Sequence, residues 1–268
     1  RKINRPISPP KPRPESALAS AALLSVFYGL FLTHKINLVT ADLGRHLKNG
    51  ELFFQTLSPL AVNFYSYTEP YFHCINHHWA TGAIFFLIWK IAGFAGLQLF
   101  FIGISLAAFL IFHALACRRA GVGLSTLAAL AIMPLLAERT EIRPEALSAL
   151  FIALFLWVLV NFKEDRGSPR RLWILPALEV LWVNCHIYFF MGPVLISLFL
   201  IDELFTTPRR PHRAALLKVL LACGACTLLN PFGIEGALAP LGIFKNYGYR
   251  LVENQPVWFI EKLISNPN

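Results

Sequence analysis

Just past the first long apolar run, the stretch Ala41-Asp42-Leu43-Gly44-Arg45-His46-Leu47 puts a carboxylate, a guanidinium and an imidazole within seven residues. Asp42, Arg45 and His46 stand at i, i+3 and i+4, the spacing that brings side chains onto one face of a helical turn. A carboxylate in that setting can take a proton from a hydroxyl nucleophile, and an arginine beside it can hold an anionic leaving group. A phosphate already leaves readily, so such a pair needs no general acid. The plainer reading of Asp42 is an acid in the first turn of a helix, stabilising its N-terminus with Thr40 as the cap.

Other groups could join this turn. Arg139 and Arg143 lie among Glu138, Glu141 and Glu145, either as forks for a bound phosphate or as partners of those acids at a wet rim. His73 and His77 have the i, i+4 spacing of a metal pair, with Cys74 or an aspartate to complete it, but adjacent histidines also begin interfacial helices. His78-Trp79 suits such an interface, and Glu69 reads most simply as a rim charge. Glu179, Trp182 and His186 share a face of an otherwise apolar run, where an ionisable group lines a cavity or bonds to a neighbouring helix or to a partner such as His113. Asn184 can bond across helices for packing alone. Cys223-x2-Cys226 sits between small residues and reads as helix packing. Cys74 and Cys185 both fall towards one side, where a disulfide is geometrically possible.

What must position these groups is a membrane scaffold. The chain is 56% hydrophobic and 13% aromatic over 268 residues, too apolar for a soluble domain of this size. Several runs with almost no charge have the length needed to cross a hydrocarbon core. The net charge of +9 is spread in short clusters between apolar runs, as in a membrane protein that keeps Lys and Arg on the cytoplasmic side, and not as in a nucleic-acid-binding protein.

Trp79–Ile91 is short for a span. Treating it as an interfacial or re-entrant helix puts the basic tail, Arg118-Arg119, Lys163–Arg171 and Arg209–Arg213 on one side together. The expectation is an all-α transmembrane bundle of about seven spans, near 17–33, 94–117, 121–137, 144–161, 172–186, 188–205 and 214–230. Residues 1–16 form a cytoplasmic basic tail, 36–93 a long outer loop with juxtamembrane helices, and 231–268 an extracytoplasmic segment. Asp42, the histidines and Arg143 then face outwards.

The order Asp42-x2-Arg45-His46-Leu47-x2-Gly50, Phe64-Tyr65-Ser66-Tyr67-Thr68 and His78-Trp79, with Gly93 and Gly96 downstream, resembles a family of bacterial integral membrane proteins similar to the GT-C glycosyltransferases. Arg143-Pro144-Glu145, Leu181-Trp182-Val183-Asn184-x-His186, Leu229-Asn230-Pro231-Phe232-Gly233 and Glu253-Asn254-Gln255-Pro256 fit it too. The resemblance covers nearly the whole chain. It implies an inverting sugar transfer from a polyprenyl-phosphate donor in the membrane lipid to an acceptor outside the cytoplasm, in the bacterial inner membrane. The acid of the first outer loop, here Asp42, serves in the family as catalytic base or as a contact for a divalent metal such as Mg or Mn. A lone Asp42 stands where many members carry Asp-x-Asp or Asp-Glu. Arg45, His46, Glu69, His78, Arg139, Arg143, Glu179 and His186 are the candidate substrate-binding residues. The competing expectations are a transporter or flippase for an anionic lipid or solute, and a non-catalytic membrane scaffold.

Overall fold

The computed structural model describes residues 14–33, 36, 42–137, 141–166, 168–206 and 210–242. Thr40, Glu138, Arg139 and the stretches 1–13 and 243–268 of the two terminal segments lie outside these residues.

The chain is all-helical. α1 spans Pro14–Leu32, α2 Leu43–Thr56, α3 Trp79–Ala137, α4 Glu145–Lys163, α5 Ile174–Cys185, α6 Met191–Thr206, α7 Arg210–Cys226 and α8 Gly233–Gly242. Short 3₁₀ turns at Pro169–Trp173 and Ile187–Phe190 lead into α5 and α6. Among the described residues the nearest thing to a sheet is one antiparallel bridge, Val62 to His73.

The long α3 breaks where the sequence expects it to. Gly93 (φ 62°) and Gly121 (φ 78°) adopt left-handed backbone, a conformation that glycine reaches without a steric penalty. The segment 79–92 before the first break is therefore a separate short helix. α2 lies against it through a glycine contact. A side chain at Gly50 would collide with the backbone of Gly82, and one at Gly82 would come within 2.9 Å of the His46 carbonyl.

Among the described residues, four helical stretches are long and apolar enough to cross a membrane: Pro14–Leu32, Trp79–Leu136, Glu145–Lys163 and Ile187–Phe205. α5, with 12 residues, and α7, with 17, are shorter than this, so length and composition alone do not reach seven spans. The outer surface agrees with a lipid environment. Leu18, Ile91, Leu99 and Phe205 are each 70% exposed or more, a density of bare apolar chains that water would not tolerate.

Two apolar cores hold the helices. Leu24, Leu32, Leu43, Phe85, Leu97 and Met133 join α1, α2 and α3. Phe155, Leu175, Trp182, Phe189, Ile196 and Leu216 join α4 to α7. Between them the start of α3, the start of α4 and the end of α5 converge.

Candidate functional site

Four imidazoles meet at that convergence. His46 comes from α2, His77 and His78 from the turn that opens α3, and His186 from the end of α5. Ring centroids are 5.5 Å apart for His46 and His78, 4.7 Å for His77 and His78, and 5.0 Å for His78 and His186. The elements are tied together around them. The Thr81 hydroxyl donates to the Cys185 carbonyl at 2.6 Å, and the Trp79 indole donates to Asn184 at 2.9 Å.

His186 is held by a buried relay. The Trp182 indole N–H donates to Ser148 Oγ at 2.8 Å, and Ser148 Oγ lies 2.8 Å from His186 Nδ1. The indole can only donate, so the serine proton is free to go to Nδ1, which leaves the hydrogen of the neutral ring on Nε2. Trp182 is stacked on Phe151 and edge-on to Phe155, which fixes the first link of the chain.

The cluster is desolvated, and its bases are weakened. Burial pushes His46 down to about 4, helped by the Arg45 and Arg143 charges and opposed by Asp42. Burial and then Arg45 push His77 down to about 4. Burial and the surrounding imidazoles hold His78 well below its ordinary value. All three are neutral at pH 7 and present hydrogen-bonding rings without charge. Nδ1 of His46 and of His77 has no hydrogen-bond partner among the described residues, and such atoms are costly to leave unmade.

Charge sits at the rim. Asp42 and Arg45 form a pair at 3.0 Å, with side chains 66% and 50% exposed. The expected single face therefore divides: the acid and the arginine stay outside, while His46, 4% exposed, turns inwards. The helical step between Arg45 and His46, about 100°, is enough to separate them when α2 lies flat on α3. Asp42 itself occupies the N-cap with φ 53° and makes no side-chain capping bond. Tyr65 donates to Asn49 at 2.6 Å, pinning the loop between α2 and α3 to α2 beside Arg45.

Arg143 bonds Glu141 at 2.7 Å through Nε. Both line a cavity of about 410 Å³ whose walls include Phe101, Phe109, Phe112 and Leu135, and whose polar side adds Glu145. Tyr188 also lines it and lies with its ring 4.5 Å from that of His186. An apolar hollow with an arginine at its edge thus adjoins the histidine cluster.

Several expected groups are elsewhere. His73 pairs with Glu235 of α8 at 3.1 Å. The stretch around it is a bridge and extended backbone, so the helical pairing of His73 with His77 does not form. Among the described residues no three His, Cys, Asp or Glu side chains stand close enough to hold a metal ion. Glu69 is exposed in the loop between α2 and α3, with its backbone N–H bonded to Ser66. Glu179 is fully buried with its carboxylate beside Gly192 of α6, and neither of its oxygens has a hydrogen-bond partner among the described residues. Among the described residues no hydrogen bond joins it to His113, whose Nε2 meets Ser20 and Cys117. All five cysteines are free, which leaves the Cys74–Cys185 disulfide unmade.

The sequence reading missed Ser148 and Tyr188. A serine within an apolar helix was a signal for Ser148, since a hydroxyl in hydrocarbon must find a partner. Nothing in the spacing linked it to Trp182. No protein-family model, curated protein or solved structure matches this chain.

Proposed function

We propose that the chain is the core of a membrane glycosyltransferase that moves a sugar from a polyprenyl-phosphate donor to an acceptor on the extracytoplasmic face of a bacterial inner membrane, with the N-terminal tail in the cytoplasm and seven spans in the region up to residue 230. The observation that carries the reading is the apolar cavity with Arg143 at its edge, next to neutral imidazoles and within electrostatic reach of the Asp42–Arg45 pair. A donor of this class has an apolar chain and an anionic head, the two chemistries that this hollow joins.

In this reading the isoprenoid lies along Phe101, Phe109 and Phe112. Arg143 and Arg45 take the phosphate charge as the bond between the anomeric carbon and the phosphate oxygen breaks. Asp42 receives the acceptor hydroxyl proton as the new glycosidic bond forms from the opposite face. His46, His78 and His186 are uncharged donors and acceptors for sugar hydroxyls. Arg45 and Arg143 supply the positive charge at the departing phosphate.

The test is transfer from a labelled polyprenyl-phosphate sugar by the full-length protein in proteoliposomes. Asp42→Asn keeps the shape and removes the base, and is expected to lower transfer by about 100-fold or more. Unchanged transfer by a correctly folded Asp42→Asn protein ends the assignment.

A further inference from the structure

The opposite end of α4 carries a second hollow, of about 250 Å³, between the last turns of that helix and the 3₁₀ turn Pro169–Trp173. Trp157, Phe162 and Ile174 give it an apolar floor, and Asn161, Ser168 and Arg171 a polar edge. It is far from the histidine cluster: Ser148 and Asn161 are separated by about 20 Å of helix.

The charges around this hollow do not balance. Glu164 takes three arginines, with Arg119 at 2.9 Å, Arg166 at 3.0 Å and Arg118 at 3.9 Å. Asp165 pairs with His212 at 3.5 Å, and Asp202 with Lys163. Glu203 faces the other nitrogen of His212 at 3.8 Å. The carboxylates are thus spoken for. Arg170 and Arg171 remain, with exposed side chains and no acidic partner among the described residues. Ser168 adds a hydroxyl, and its oxygen already caps the turn by accepting from the Arg170 N–H at 3.3 Å.

The surroundings indicate what the two arginines meet. Trp173 is 56% exposed and Ile174 is 49% exposed, an aromatic and an aliphatic side chain bared beside the charged turn, as at a membrane interface. Arginine forks match phosphate geometry, and basic pockets between membrane helices take anionic lipid head groups. We propose that this hollow binds the phosphate head group of an anionic phospholipid, with Arg171 on the phosphate, Ser168 beside it, Arg170 of the same turn adding positive charge at the rim, and the upper acyl chain against Trp157 and Ile174. The proposal does not depend on the glycosyltransferase reading.

The experiment is native mass spectrometry of the full chain released from mixed micelles holding equal phosphatidylglycerol and phosphatidylcholine. The wild type is expected to retain phosphatidylglycerol preferentially, and the Arg170→Gln/Arg171→Gln double variant to lose roughly 30-fold of that preference. Arg119→Gln, at the same end but bound to Glu164, is expected to leave it unchanged. Three results would overturn the proposal: no lipid preference in the wild type, an equal loss in Arg119→Gln, or displacement of the lipid by equimolar glycerol phosphate. The last would mark a site for a soluble anion.

Discussion

At its start α4 turns Ser148 towards a nest of uncharged rings, and some 20 Å later it turns Asn161 towards a set of guanidinium groups. The first end is dry. Its polar contacts are few: the Trp182–Ser148–His186 relay ties α5 to α4, and Nδ1 of His46 and of His77 has no partner among the described residues. The second end is wet and shared. Arg118 bonds Asn161, lies 4.2 Å over the Trp157 ring and reaches Glu164, which Arg119 and Arg166 also hold. A dry, singly bonded network is fragile and can set the properties of its groups, because loss of any member leaves a buried orphan. A cluster in which one covered carboxylate is shared by three arginines, two of them exposed, is robust, because loss of one arginine leaves the carboxylate partnered.

This contrast is tested most severely at Trp182. Trp182→Ala removes a fully buried ring packed on Phe151 and Phe155 and strands Ser148. It is expected to cost about 3–5 kcal/mol, read as a lowered unfolding midpoint in detergent. A loss no larger than that of a substitution among the arginines would break the comparison.

A pH series probes the same end more gently. His46 and His77 have folded values near 4, below the unfolded value of about 6.5. Between those limits the unfolded chain binds more protons than the folded one, so stability is complete above about pH 6.5 and falls as the pH is lowered towards 4. His46, being the more buried, is expected to contribute on the order of 2 kcal/mol to that fall. His46→Gln should flatten the curve in this window, as followed by denaturation at fixed ionic strength. A wild-type curve flat from pH 7 to 4 would show that the imidazoles are solvated, and the distinction between the two ends would then blur.

How much of this was legible depended on range along the chain. The apolar runs, the breaks at Gly93 and Gly121 and the basic groups at Arg118-Arg119 and Lys163–Arg171 follow from local composition and from backbone rules that act residue by residue. The Asp42–Arg45 pair was equally local, at i, i+3. The inward turn of His46 was not, because it depends on Gly50 meeting Gly82, a contact made only when α2 docks. The gathering of His46, His78 and His186 needs three elements far apart in sequence. The same holds for His73, whose helical spacing gave way to a bridge with Val62 and a bond to Glu235 on α8. Glu179 was recognised as costly, but its direction depends on the gap that Gly192 leaves in α6, which no periodicity in α5 records.

The smallest expected effect belongs to Arg118. Arg118→Gln keeps a side chain able to bond Asn161 but gives up the charge over Trp157 and the longest of the three contacts to Glu164. Glu164 retains Arg119 at 2.9 Å and Arg166 at 3.0 Å, so no carboxylate is stranded. The Arg118–Glu164 contact is long, at 3.9 Å, and is worth about 0–1 kcal/mol at a charged rim, and a cation over an aromatic face adds about the same. The expected loss is therefore about 1 kcal/mol, and it should shrink further in high salt as the pair is screened. If the variant instead loses as much as Trp182→Ala and salt does not move it, Arg118 acts as a desolvated anchor, and the two ends of α4 obey the same rule.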